Sequence, residues 1–392
     1  MDKAKLREGI QKYSMIIVLV LVTLFFTWGT QGKILFPQNI TNLISQNAYV
    51  YVLATGMLLC ILTGGNIDLS VGSVVCFVGA VGGVFMEKMG MPMPIAVILM
   101  LLLGAVIGAW QAVWIAYVHV PPFITTLSGM FVFRGLSNVV LGGQTLPIKN
   151  QAFVVLFGGG ANCYVPDILG GGEGMNRLAM VVGIIACVIF VVVTMKGYLN
   201  RKKKGYETGN VVAMYAKMIL ICAVILFITY KLAKYKGIPT SLVWVLIVVL
   251  IYGYITSKTT IGRYFYAVGG NIEAARLSGI RTSRVKYLVF ALSGFFAGLA
   301  GIVLLSRTNS SQGSAGLGYE FKVITCVVLG GVSVAGGSGR MSGVVAGTFI
   351  IGALNNGMVL MNINTWIQDI VLGIVLVLAV GFDCIQKKRQ AN

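Results

Sequence analysis

Acidic residues are scarce in this 392-residue chain: Asp and Glu together number 11, and there is one histidine. Charged residues of both signs reach only 10%, against about 25% in an ordinary soluble domain. A surface so poor in charge cannot be wetted, which excludes a soluble enzyme, a disordered chain and a peripheral protein. A Ser-His-Asp set or a metalloenzyme site is poorly supplied, so a membrane enzyme is a weak reading. Six of the seven cysteines lie in or beside apolar runs, only Cys163 sits in a long loop, and neither a metal spacing nor a disulfide framework emerges. The phosphate-cradling pattern Gly-x-x-x-x-Gly-Lys-Ser/Thr is missing, and the Gly-rich stretch 330–339 has no lysine. No nucleotide, metal or other cofactor is therefore expected on this chain.

What the chain has is apolar length. Hydrophobic residues make up 57%, and a bilayer span takes roughly 20 of them. Apolar runs fall at 14–29, 47–63, 69–86, 94–118, 123–141, 178–195, 215–233, 240–257, 285–306, 322–336, 342–361 and 366–384. The expectation is an all-α polytopic membrane protein with ten to twelve transmembrane helices in a single domain, 1–392. The first run follows Lys3, Lys5, Arg7 and Lys12 without a small-residue cleavage site, so it reads as a membrane helix rather than a signal peptide. The formal charge of +19 does not mark a nucleic-acid binder, because Lys and Arg cluster in short loops between apolar runs. With twelve crossings, about 20 of them share the side of both termini and about 9 the other, which makes the first side cytoplasmic. Lys231, Lys234 and Lys236 run against this pattern.

Glycine is abundant, 51 residues. The pairs Gly79/Gly83, Gly104/Gly108, Gly294/Gly298 and Gly343/Gly347 are spaced to lie on one helix face, where small residues let helices approach closely. Two segments echo each other: Leu62-Thr-Gly64-Gly65-Asn66-Ile-Asp68-Leu-Ser-Val-Gly72, and Leu329-Gly330-Gly331-Val-Ser-Val-Ala-Gly336-Gly337-Ser-Gly339. Each interrupts an apolar run with glycines and small polar residues. Broken segments in two related halves are how many transporters bring polar backbone to the membrane midplane.

Intramembrane ionisable residues are the next candidates: Asp68, Arg134, Glu320 and Asp369. Asp68 is placed to cap the helix after the first break, accepting from the N–H groups of Ser70 and Val71, or to meet a solute directly. Glu320 is placed to do the same at a later helix start, and Arg134 to pair with a carboxylate of the bundle. His119, before Pro121-Pro122, reads as an interfacial side chain rather than a proton relay. Trp110, Gln111, Trp114, Asn355 and Asn356 suit either a sugar path or an interface belt with interhelical hydrogen bonds.

The sharpest signal is the hydrophilic loop 258–286, cytoplasmic by the charge count. It contains Gly262-Arg-Tyr-Phe-Tyr-Ala-Val-Gly269-Gly270-Asn271-Ile-Glu273-Ala274-Ala275-Arg-Leu277-Ser-Gly279-Ile280. Asn271 can cap a short helix, Glu273 suits its first turn, and Gly279 can stop it. So short a helix is unstable alone in water, and a partner surface would explain it.

This stretch resembles the coupling loop of ABC importer permeases, and its wording is similar to the monosaccharide branch, the ribose, xylose and galactose permeases. The 64–72 break resembles a second signature of that branch. Val327-Val-Leu-Gly-Gly-Val-Ser-Val-Ala-Gly-Gly-Ser-Gly-Arg340 resembles a third. The stretch 146–240 departs from shorter relatives by a Gly-rich loop, Lys202-Lys203-Lys204 and one or two extra spans, as in longer xylose-type or multiple-sugar permeases.

The resemblance implies a permease subunit, not an enzyme, in a bacterial cytoplasmic membrane. It implies a second permease copy, an extracellular or periplasmic sugar-binding protein and a cytoplasmic ABC ATPase that hydrolyses the ATP. A monosaccharide would cross by alternating access. The coupling residues would be Gly269, Gly270, Asn271, Glu273, Ala274, Ala275, Leu277 and Gly279. The same machinery for a branched-chain amino acid, a nucleoside or a signalling sugar is the nearest alternative. An ion-coupled sugar carrier is a further one, disfavoured by so few intramembrane charges.

Overall fold

The computed structural model describes residues 17–159, 162–170, 174–206 and 211–391. The basic residues 3–12 and the start of the first apolar run lie outside them. In chain order the helices are α1 (Ile17–Gly29), α2 (Pro37–Gln46), α3 (Ala48–Leu62), α4 (Val71–Gly83), α5 (Met93–Ala116) and α6 (Pro122–Leu141). There follow α7 (Gln151–Phe157), α8 (Arg177–Lys203), α9 (Val211–Ala233), α10 (Thr240–Lys258), α11 (Thr260–Gly270) and α12 (Ile272–Leu277). The last are α13 (Thr282–Thr308), α14 (Tyr319–Leu329), α15 (Met341–Leu360) and α16 (Thr365–Ala391). A π-turn, Val84–Lys88, prolongs α4. The two-residue strands β1 (Leu146–Pro147) and β2 (Ser310–Ser311) pair antiparallel.

Among the described residues, 9 helices are long and apolar enough to cross a membrane, or 10 if α2 and α3 together make one span. The fold is all-α. One correction concerns the run 322–336, which is not a continuous span: α14 stops at Leu329 and irregular backbone follows to Arg340. Gly331, Gly336 and Gly337 all have positive φ, a region that ends a helix and that side chains avoid. A second difference is that much of 258–286 is helix rather than loop, because Thr259 caps α11 by accepting from Gly262 N at 3.1 Å.

Residues within 1–34, 43–163 and 241–392 form one compact unit; 35–42 and 164–240 form a second. In the first, α13 is the hub. Most of its apolar length is buried, whereas none of that of α16 is, as expected of a central and a lipid-facing helix. Two of the small-residue pairs meet each other. A Cβ on Gly104 would lie 2.8 Å from Gly298 Cα, and one on Gly108 2.8 Å from Gly294 Cα, so α5 and α13 cross backbone to backbone. Gly347 packs in the same way on α14, where a Cβ would sit 2.7 Å from Gly330 N.

The second unit holds the hairpin of α8 and α9. Asn176 caps α8 by accepting from Ala179 N at 2.8 Å, and Gly183 packs on Thr229. The lysines that break the charge pattern stand over rings: Lys231 Nζ is 5.4 Å from the Phe227 centroid and Lys234 Nζ 4.8 Å from that of Tyr230. Each such cation–π contact is worth about 0.5–1 kcal/mol at an exposed site.

Candidate functional site

The short helix α12 forms as its residues require. Asn271 Oδ1 accepts from Ala274 N at 2.9 Å, and Glu273 lies in the first turn. Ile280 N donates to Ala275 O at 3.1 Å, closing the end at Gly279, whose φ is 82°. Leu277 is 88% exposed at the tip. Ala274 and Glu273 are exposed with it, while Ala275 is only 4% exposed. Ala275 therefore belongs to the chain's own packing, and a charge there would disturb α12 itself rather than only an outer surface.

Directly before α12 the chain is locked to both helix breaks. Gly337 N donates to Leu62 O at 3.0 Å, which joins the second break to the end of α3. A Cβ on Gly336 would lie 2.7 Å from Gly64 Cα. Gly269 enters the same junction: a Cβ there would run into Leu62 O and come within 2.6 Å of Gly337 N. Tyr266 Oη donates to Gly339 O at 2.8 Å. Burial pushes the Tyr266 phenol up, with Arg340 nearby opposing, so the proton needed for this bond is held. Gly64, Gly65, Gly336 and Gly337, seen in sequence only as an echo, thus meet Gly269 and Gly270 in three dimensions. Gly330 and Gly331 sit apart from them, at the end of α14, where Gly330 N donates to Cys326 O at 2.9 Å. Asn66 Nδ2 braces the first break by donating to Thr63 O at 3.0 Å.

Asp68 is 2% exposed. Its Oδ1 accepts from Ser70 N at 3.0 Å and from Ser70 Oγ at 2.6 Å; its Oδ2 accepts from Ser293 Oγ at 2.7 Å. The expected bond from Val71 N does not form, because Ser70 occupies the cap position of α4. The carboxylate instead ties the first break to α13. Gln111, 1% exposed, lies 3.1 Å from Ser70 Oγ. The single Ser70 proton is committed to Asp68, so the Gln111 amide N–H is the matching donor to that oxygen. Asp68→Asn keeps an acceptor for Ser70 and offers Ser293 Oγ a donor, so transport is expected within a few-fold of wild type. Asp68→Leu leaves buried donors unmet at about 1–3 kcal/mol each and is expected to lose most transport. Uptake at matched membrane levels checks this; equal loss in both variants would show that the charge itself is needed.

The remaining candidates do not form one path. Trp110 and Trp114 are outward-facing, 45% and 42% exposed, and pack edge to face on each other. They fit an interface belt. Among the described residues Arg134 forms no hydrogen bond to a carboxylate; its guanidinium donates to Ala315 O at 2.7 Å and Gly313 O at 3.3 Å. Glu320 is not the cap of α14, a position held by Gly318, but a buried first-turn residue beside Gly72. Asp369 and His119 are exposed. Asn355 and Asn356 do line a cavity, of about 240 Å³, together with Tyr49, Arg307, Tyr319 and Lys322. Composition could not single out those four, since they come from three helices far apart in sequence. The signal available was that Arg307 and Lys322 lie in or beside apolar runs.

Comparison with known proteins decides the family. The family described as "Branched-chain amino acid transport system / permease component" matches residues 39–163 and 173–380. The chain belongs to it. This permease is 36% identical to the xylose transport system permease protein XylH of Escherichia coli K12, over 97% of its own length and 93% of the relative's. It is 35% identical to XylH of Haemophilus influenzae, covering 97% and 98% of the two chains. Against the ribose import permease protein RbsC of E. coli K12 the identity is 33%, with 95% and 93% covered. No solved structure matches the permease. Its apolar helices and its family make it a multi-pass membrane protein and a transport subunit.

Proposed function

We propose that this permease is the membrane subunit of an ATP-driven importer that passes a monosaccharide by alternating access. It works as a pair with a second copy, takes sugar from an extracellular or periplasmic binding protein, and is driven by a cytoplasmic ABC ATPase. Both termini and α12 lie on the cytoplasmic side, as the excess of Lys and Arg there supports. The observation that carries the reading is that α12 presents Leu277 outward, while the residues just before it are wedged against both helix breaks. A push on α12 is thereby delivered to the end of α3 and to the second break together, without a long lever. Relatives named for xylose and ribose support a monosaccharide, pentose before hexose.

The test is reconstitution in vesicles with the cognate ATPase and binding protein. ATP-dependent xylose uptake is expected, and the purified chain alone should hydrolyse no ATP. Uptake driven by an ion gradient without the ATPase would overturn the reading in favour of a secondary carrier. Uptake of leucine, with no response to pentoses or hexoses, would overturn the sugar assignment alone.

A further inference from the structure

The polar cavity on the first unit is walled by four helices. Tyr49 opens α3, Arg307 stands near the end of α13, Tyr319 and Lys322 lie in the first turn of α14, and Asn355 and Asn356 project from α15. Tyr49 and Tyr319 stack at 4.7 Å with their planes 25° apart. Lys322 Nζ donates to Asn47 Oδ1 at 3.2 Å and lies 5.9 Å from the Tyr49 centroid. Arg307 donates to Gln46 O. Among the described residues no carboxylate lines the cavity.

Two cations beside membrane helices are expensive to keep unless something uses them. Arginine has five N–H donors and lysine three, and among the described residues one of each set is engaged by a protein acceptor. The lining is therefore rich in donors and holds a flat aromatic wall. Asn356, 9% exposed, adds an acceptor oxygen with no hydrogen-bond partner among the described residues. That combination suits a ligand with many hydroxyl oxygens, each offering two lone pairs and one proton. The volume is that of roughly eight waters, the scale of one sugar ring.

The position matters as much as the chemistry. The first turn of α3 lines the cavity, and the last carbonyl of α3, Leu62 O, is the centre of the glycine junction. Tyr49 and Leu62 stand near opposite ends of the 15-residue α3, about 20 Å apart along its axis. Movement of the junction is thus passed along α3 directly to the cavity wall.

We infer that this cavity is a station on the transport path, holding a single monosaccharide by Lys322, Arg307 and Asn356 before the inner side opens. The inference rests on the sugar-import reading above.

The experiment uses the complete reconstituted importer. Lys322→Met and Asn356→Leu are each expected to lower initial xylose uptake about ten-fold or more, the effect of losing one hydrogen bond to a charged or buried partner. Co-purified ATPase should be unchanged, and Lys322→Arg should recover part of the rate. A second measurement does not depend on those variants. Asn355→Cys should react with a small water-soluble thiosulfonate, and xylose-loaded binding protein should slow the reaction. Cys384, exposed on α16, serves as the unprotected control in the same digest. Wild-type uptake of xylose with no loss in Lys322→Met and Asn356→Leu, or with no protection of residue 355, would overturn the station and leave the import reading standing. Absence of monosaccharide uptake by the wild type would overturn both.

Discussion

Leu277→Asp is expected to abolish uptake and to strip the ATPase from the purified permease, although the membrane level stays normal. Leu277 is 88% exposed, so its replacement removes no packing from the chain itself. A leucine fully buried on docking contributes roughly 1.5–3 kcal/mol, equivalent to about ten-fold to a hundred-fold in affinity. An aspartate forced into the same apolar groove adds a desolvation cost of several kcal/mol. Leu277→Met keeps volume and apolar character and should couple nearly normally. Sugar capture by the binding protein should be untouched in both. The readouts are ATPase recovered per permease and sugar-stimulated hydrolysis alongside uptake. Full uptake and normal ATPase recovery in Leu277→Asp would show that α12 does not dock the ATPase, and the main support for the proposed function would be gone. Leu277 is a better probe than Gly279 or Ala275. Gly279 has a φ of 82°, so a side chain there strains the turn, and Ala275 is buried.

Gly269→Ala and Gly270→Ala should behave as opposites despite being neighbours. A methyl at Gly269 meets the Leu62 carbonyl oxygen, and it lies 2.6 Å from Gly337 N. Both neighbouring atoms are backbone, so no side chain can turn aside, and the junction must open. Overpacking of this kind costs about 1–3 kcal/mol or more. A methyl at Gly270 meets nothing within 4 Å, and alanine is the better helix former by about 1 kcal/mol. Gly270→Ala should therefore transport at the wild-type rate. Gly269→Ala should retain ATPase binding, because Leu277 is unaltered, yet lose about ten-fold or more of its uptake per ATP hydrolysed. The measurement is the ratio of sugar imported to ATP consumed in vesicles. A ratio in Gly269→Ala equal to that of wild type would show that force does not pass through the junction.

Much of this protein is legible one residue at a time. Its membrane class follows from the shortage of charge and the length of the apolar runs, because bilayer thickness fixes how long such a run must be. The short helix α12 is equally local. Asn271, Glu273 and Gly279 act on backbone groups within a few residues of themselves, so their spacing already states where α12 begins and ends. The small-residue pairs on α5 and α13 announced close helix contact for the same reason, a 3.6-residue period on one face.

Other features depend on which segments become neighbours. Asp68 was visible as a cap, yet its second oxygen binds Ser293, 225 residues away. Local rules could not name that partner, nor the loss of the bond from Val71. The echo between 62–72 and 329–339 was readable, but not that Gly336 and Gly64 touch or that Gly269 completes the junction. The polar cavity is the extreme case. Tyr49, Arg307, Lys322 and Asn356 come from four separate helices, so no periodicity links them. Composition and short-range spacing determined what each helix is; close packing of glycine backbones decided which helices meet, and with that where a sugar and a push from the ATPase could act.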